Sequence, residues 1–306
     1  MISIYHKSIK DHQLKKMDRF SPGSWIFVEN PNEEEIHRLS DMFGLDDGLL
    51  RDAIDPYEVP RMETDQGIIY VYTRVPHQEG GSVTTTPVLV VLGGDFFMTV
   101  SASPLSLLNK IVEKNEDLYT THKTAMLIRV FSEVVSSYNA VLTETQKKVR
   151  GASSLLESVS NKEIMQLVIF ENVMNDFLSA LIPTSAIISN LLSGKLLELH
   201  EEDHELVEDL FLGTGQLIEL SKSTLKTIVN IREAYSTIMT NNLNRVIKIL
   251  TALTIVLTIP MMISSFFGMN VVVPLADNPY GFWMIFSISV AISAFLVYIL
   301  NRNKWL

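Results

Sequence analysis

Two stretches near the end of the chain carry no charged residue: nineteen positions from Ile249 to Phe267, and twenty-one from Tyr280 to Leu300. A helix rises about 1.5 Å per residue, so about 20 residues cross a hydrocarbon core of roughly 30 Å. The pattern predicts two membrane-spanning helices, over 249–267 and 281–301. The first is not uniformly apolar. Asn244, Thr251, Thr258 and Ser265 recur every seven residues, and Ile247, Thr254 and Met261 form a second sevenfold track offset by three. Together they make one a/d stripe, the face along which helices meet. Polar groups within a membrane face a bundle interior or water. The competing reading is that the hydroxyls bond back to their own helix and line a dry contact. Five polar residues on one stripe favour a wet passage. Pro260 lies inside this span and is expected to bend it.

Upstream the periodicity changes. Asn32 followed by Glu33, Glu34 and Glu35 reads as a capped helix ending at Gly44. A short helix from Asp46 to about Asp55 follows, before Pro56. Residues 67–75 and 83–92 are β-rich, and Gly93-Gly94-Asp95 turns into a further strand over 96–101. Ser103-Pro104 opens a helix. From about Thr124 the chain is helical, with one helix running towards Arg150, a capping box at Ser160-Asn161-Lys162-Glu163 starting the next, and Gly194 near its end. No proline occurs between Pro183 and Pro260, and the pattern stays helical from about Glu205 to Phe267, despite Gly213 and Gly215. Leu210, Leu217, Ile231 and Ile238 share a sevenfold track, with Val207, Ile228 and Tyr235 beside it. A helix with such a seam asks for copies of itself around one axis. The expected divisions are an α+β domain over 1–120, an antiparallel helical hairpin over 121–200, a long stalk helix over 201–248, the span 249–267, an external loop over 268–280, the span 281–301, and a tail over 302–306.

Charge sharpens the division. The net charge is −10, and residues 241–306 contain a single acid, Asp277, against Arg245, Lys248, Arg302 and Lys304. The body is acidic, which excludes nucleic acid as a partner, because phosphates need clustered Lys/Arg. The four bases flank the outer ends of the two spans and avoid the connection between them. The positive-inside rule then puts both termini in the cytosol. The first residues contain no apolar run, so no secretory leader is expected. There is no cysteine, which removes disulfides, zinc ribbons and thiol catalysis.

His200-Glu201-Glu202-Asp203-His204 matches H-E-x-x-H, in which two histidines on one helix face hold zinc beside a general base. Both middle positions are acidic here and no third ligand follows, so a solvated acidic face is the better reading. No phosphate-binding G-x-x-x-x-G-K-S/T loop is present. Nothing else resembles a catalytic constellation, and the chain is not expected to be an enzyme.

Gly268-Met269-Asn270 stands at the outer end of the first span. On a chain with two C-terminal spans behind a large acidic body, this tripeptide resembles the CorA family of magnesium channels. The likeness extends to Phe267 before it, to Pro279-Tyr280-Gly281 before the second span, and to Lys304-Trp305-Leu306 at the end. Where the family usually has Tyr, Phe267 stands. Its M-P-E-L loop is replaced by Val273-Pro274-Leu275-Ala276-Asp277, and its longer lysine tail is reduced to Arg302 and Lys304.

The resemblance implies a homopentameric funnel in the cell membrane. Its long helix lines the pore, and a ring of Gly268, Met269 and Asn270 takes a hydrated ion. Mg²⁺ sheds water reluctantly, so a filter of neutral oxygens suits it. The implied pore positions are Asn244, Ile247, Leu250, Thr254, Thr258 and Met261, with Leu250 in place of Thr251. The resemblance also implies a regulatory metal site between neighbouring subunits, made by Asp52 and Asp209, through which internal Mg²⁺ closes the pore. The expected cargo is Mg²⁺, with Co²⁺ and Ni²⁺ as further candidates, and no organic cofactor. The alternatives are a zinc transporter of the related ZntB branch, against which Met269 speaks, and a two-span membrane metal sensor that moves no ion.

Overall fold

Alternating side chains along the strands sort into two apolar sets, and this alternation builds the N-terminal half. In the computed structural model, which describes residues 1–113, 118–153, 161–194, 197, 199–271, 274, 278–303 and 305, seven strands form one sheet. They are β1 (Ile2–His6), β2 (Lys15–Met17), β3 (Ser24–Glu29), β4 (Arg61–Asp65), β5 (Ile68–Glu79), β6 (Ser82–Leu92) and β7 (Phe96–Ser101). Their order is β2-β1-β3-β7-β6-β5-β4. Only β3 and β7 pair in parallel; every other pairing is antiparallel. Trp25, Phe27, Val71, Val88, Val90 and Phe97 point to one face. Their neighbours Ile26, Val28, Tyr70, Tyr72, Leu89, Val91 and Met98 point to the other, as the two-residue period of a strand requires.

The second face is covered by α1 (Glu33–Phe43) and α2 (Asp47–Asp52), through Ile36, Leu39 and Leu50. The first carries α3 (Ser106–Glu113), α4 (Lys123–Ser153) and α5 (Asn161–Leu192). The expected capping at Asn32 is present in full: its side chain accepts from the Glu35 amide, Glu35 answers at the Asn32 amide, and Gly44 closes the helix in a left-handed conformation. The expected helix to Asp55 stops at Asp52. The β5–β6 hairpin turns on Gly80 and Gly81, both at positive φ (59° and 86°), which glycine adopts without steric cost. The capping box expected at 160–163 begins outside the described residues.

The Trp25 indole N–H donates to Thr99 Oγ1 at 2.9 Å across the parallel pair, and both residues are fully buried. Thr99→Val keeps the shape but leaves that donor unpaired. Urea unfolding is expected to show a loss of about 1–3 kcal/mol.

The helix α6 runs without a break from Glu201 to Phe267, 67 residues, straight through Gly213, Gly215 and Pro260. The chain divides into two units within it, residues 1–231 and 232–306. In the first unit Val207, Leu210, Leu217, Ile228 and Ile231 are buried in the chain's own core. This corrects the expectation for the part of the sevenfold track that precedes residue 232. There it is a face for α6 to pack on its own domain, not a seam between copies. In the second unit α7 (Gly281–Arg302) accompanies the end of α6.

Candidate functional site: the exposed stripe of α6

Among the described residues four helices are long and apolar enough to cross a membrane. Within α4 and α5 the apolar window is 44% and 33% buried, so these helices spend much of that surface on the first unit's core. The windows of α6 and α7 reach a mean hydropathy of 2.2 with only 6% buried. That much uncovered apolar surface needs another apolar environment.

Within the second unit, α6 has two distinct faces. Ala252 is buried, and Val256, Ile259 and Ile263 are half-buried; Val256, Pro260 and Ser264 line a concavity shared with α7. Asn244, Ile247, Leu250, Thr251, Thr254, Thr258, Met261 and Ser265 are all exposed. At about 100° per residue these two sets lie on roughly opposite sides of the helix. Leu250 and Thr251 stand about 100° apart at the edges of the stripe. Thr254 and Thr258 donate their hydroxyl protons to the carbonyls of Leu250 and Thr254, at 2.8 and 2.7 Å. The back-bonding expected of a dry contact is therefore present, and it also decides the chemistry of the stripe. With its proton committed to the helix, each hydroxyl offers only lone pairs outward, which can accept hydrogen bonds from water. Pro260 has no N–H to give the Val256 carbonyl, yet α6 continues through it.

The helix ends where the glycine-methionine-asparagine tripeptide begins. The Gly268 amide donates to the carbonyls of Ser264 and Ser265 at 3.0 and 3.2 Å, and the Met269 amide to that of Phe266 at 3.4 Å. Gly268, Met269 and Asn270 are all exposed. Gly268 has no positive φ. A Cβ built there would meet the nearest carbonyl oxygens at 3.5 Å, an ordinary contact. The chain's own backbone does not demand glycine at this position.

The two acids implied as a regulatory site stand on different elements. Asp209 lies on the exposed side of α6. Asp52 ends α2, whose placement is fixed from three directions. The Asp46 carboxylate caps it at the Leu49 amide (2.9 Å), the Tyr72 hydroxyl donates to the Leu49 carbonyl (2.6 Å), and the Asp46 amide donates to the Tyr70 hydroxyl (3.2 Å). Burial pushes the Tyr72 phenol well above its usual range, although Arg61 beside it acts in the opposite sense. It is therefore a neutral, proton-donating anchor at any physiological pH.

Asp52 is already engaged. Its Oδ2 accepts from Arg61 Nη2 at 2.7 Å. The same guanidinium reaches Glu63 at 2.5 Å, pairs with Glu58, and lies 4.1 Å over the Tyr72 ring. Burial pulls the Arg61 pKa down, but the bonds from Glu63 and Asp52 more than offset it, so the net shift is upward. Sequence periodicity gave no sign of Arg61: it meets Asp52 across a turn, from β4 to α2. Its position among Asp52, Glu58 and Glu63 was the available signal.

The H-E-x-x-H segment forms the start of α6. His200, Glu201, Glu202 and His204 are exposed, and the acids occupy the first turn, where they complement the helix dipole. Among the described residues no group of three or more His, Asp or Glu side chains is placed to hold a metal.

With the stripe, the tripeptide and the two-unit layout in place, comparison with known proteins is decisive. The family described as CorA-like Mg²⁺ transporter protein matches residues 22–302. The chain belongs to the CorA family. A curated relative, the cobalt/magnesium transport protein CorA of Methanocaldococcus jannaschii, is 26% identical over 290 residues, covering 92% of this chain and 91% of the relative. The complete structure of the CorA magnesium transporter from M. jannaschii superposes with a TM-score of 0.89 at 24% identity, over 100% of this CorA-family chain and 99% of that one. The cytoplasmic domain of ZntB from Vibrio parahaemolyticus is a more distant likeness, with a TM-score of 0.65 at 7% identity over 78% of this chain and 98% of that one. This last likeness is one of fold alone.

Proposed function

We propose that this CorA-family chain forms a homopentameric channel in the cell membrane that passes Mg²⁺, and with it Co²⁺ and Ni²⁺, down their gradients. The observation that carries the reading is the position of the stripe. Asn244, Ile247, Leu250, Thr251, Thr254, Thr258, Met261 and Ser265 face away from α7. In a ring with α7 outside, such a face turns to the axis. Gly268, Met269 and Asn270 form the filter at the outer mouth, where neutral oxygens hold a hydrated ion without stripping it. Ile247 and Leu250 form the apolar constriction, and Asn244 the inner polar ring. No catalytic step is involved.

Regulation rests on Asp52 and Asp209. Two carboxylates suit Mg²⁺, which takes one or two such ligands and keeps several waters. Asp52 commits only Oδ2 to Arg61, so Oδ1 is left for a metal. A Mg²⁺ ion shared with Asp209 of a neighbouring copy joins subunits and favours the closed ring, because it binds one state better than the other.

The test is metal uptake into liposomes holding the purified protein, comparing Mg²⁺, Co²⁺, Ni²⁺ and Zn²⁺ with and without a proton gradient. Mg²⁺ flux that is indifferent to the proton gradient supports the channel. Zn²⁺ flux that requires the gradient would move the chain to the ZntB reading, and no flux of any metal would leave the sensor. Topology is checked separately by labelling introduced cysteines in intact cells. Cys at Asn278 is expected to label from outside, and Cys at the exposed positions Lys10 and Asn303 only after permeabilisation. External labelling at Lys10 would sink the arrangement with both ends inside.

A further inference from the structure

In the first unit Lys15, Arg51, Arg61, Arg129, Lys148 and Lys222 each pair with a carboxylate. The second unit differs. Arg245, Lys248 and Arg302 are exposed, and among the described residues none of the three has an ion pair or side-chain hydrogen bond. No acid is at hand to supply one, since the sole Asp or Glu after Glu233 is Asp277, beyond the far end of α6. Arg245 and Lys248 are one helical turn apart. At about 100° per residue Arg245 points in the mean direction of Ala252 and Val256, and Lys248 lies about 60° round from it. Arg245 is thus turned away from most of the stripe, whereas Lys248 stands one turn after Asn244 and about 40° round from it. A concavity of about 420 Å³ lies here, lined by Asn241, Arg245, Lys248, Ile249 and Trp305 together with Asn244 and Ile247 at the start of the stripe. The uncharged run of the first span starts at Ile249, immediately after Lys248. The cations therefore sit at the edge of the hydrocarbon, beside an indole, the side chain that favours this depth.

Accepting the membrane placement of the proposed function, we propose that this concavity binds the phosphate of an anionic glycerophospholipid in the leaflet next to the chain termini. The ligand chemistry is a phosphate ester anion. The guanidinium of Arg245 suits two phosphate oxygens at once, and Lys248 adds a point charge. The Asn241 amide and the Trp305 indole N–H are further donors. A free phosphate shares this chemistry but has no acyl chains to follow Ile249 into the bilayer, so the lipid is the favoured source. Bound lipid also offsets positive charge close to Asn244, where it would otherwise oppose the exit of a cation.

The experiment uses the full chain in detergent, with bound lipid counted by native mass spectrometry. It is titrated with dioleoylphosphatidylglycerol, with dioleoylphosphatidylcholine and with inorganic phosphate. Saturable binding of phosphatidylglycerol over phosphatidylcholine is expected, weakened by salt. Arg245→Gln and Lys248→Gln are each expected to lower its affinity about fivefold, as one basic residue at a membrane surface would. Arg245→Lys keeps the charge and serves as the folding control, retaining most of the preference. Equal binding of both lipids, or unchanged phosphatidylglycerol affinity in both Gln variants, overturns the site. Displacement of lipid by millimolar inorganic phosphate assigns it to the soluble anion and overturns the lipid. Because binding is read without transport, a chain that binds phosphatidylglycerol but moves no metal would refute the channel and leave this inference standing.

Discussion

Asn270→Ala is expected to abolish Mg²⁺ uptake while leaving the folded chain and its assembly intact. Asn270 is exposed just past the end of α6 and bonds to nothing among the described residues, so its loss removes no interaction from the chain itself. In a five-membered ring the same substitution deletes five hydrogen-bonding groups from the mouth. At about 1 kcal/mol for each bond, the capture of a hydrated ion weakens by about 5 kcal/mol. That is more than a thousandfold in binding. Gly268→Ala is the sharper partner experiment. An alanine methyl there meets only carbonyl oxygens at 3.5 Å, so the isolated chain accepts it. Any loss of flux then reports crowding between copies around the axis, not misfolding. Size-exclusion and thermal profiles matching the unmutated protein, together with flux at the liposome background, are the expected pair of results. Normal Mg²⁺ flux in Gly268→Ala would make the tripeptide incidental.

The parts of this protein that the sequence displays are those where one physical demand acts alone. Hydrocarbon fixes the length of an apolar run, and 249–267 meets it within α6 with Asn244, Thr251 and Thr258 still marking one face. The turn at Gly80-Gly81 and the cap at Asn32 are equally local, and the cap occurs as expected. What was illegible depends on partners distant in the chain. The strand β3 holds Trp25, Ile26, Phe27 and Val28 all buried, because it is central and covered on both faces. Its alternation is invisible where both sets are apolar. The edge strands β2 and β4 look polar for the opposite reason. The track through Val207, Leu210 and Leu217 has the same period whether it meets another copy or its own core, and only the fold reveals the second. Arg61 escapes for a third reason. Its contact with Asp52 joins β4 to the end of α2, and no helix or strand period links residues so placed.

That contact leads to the remaining prediction. If Asp52 and Asp209 share a regulatory Mg²⁺, Arg61 is a rival cation already bound to one of the two carboxylates. Removing either acid should remove the site: Asp52→Asn and Asp209→Asn are each expected to abolish Mg²⁺-dependent protection of the first unit from proteolysis and to weaken inhibition of flux by Mg²⁺ on that unit's side. The double variant should be little worse than either single one, since both delete the same site. Arg61→Gln should act in the opposite direction. The pair is partly exposed, at 30% for Arg61 and 39% for Asp52. Solvent screening therefore limits the gain, and protection should appear at Mg²⁺ concentrations lower by at most about fivefold. Arg61→Lys keeps a charge but loses the planar fork that spans Asp52 and Glu63, and it should fall between Gln and the unmutated chain. Proteolysis protection titrated with Mg²⁺ across the four single variants separates the possibilities. A higher Mg²⁺ requirement in Arg61→Gln would make the guanidinium a support for Asp52 and not its competitor. Unaltered protection in both Asp→Asn variants would move the regulatory ion elsewhere, with the acidic first turn of α6 around Glu201, Glu202 and Asp203 as the next place to look.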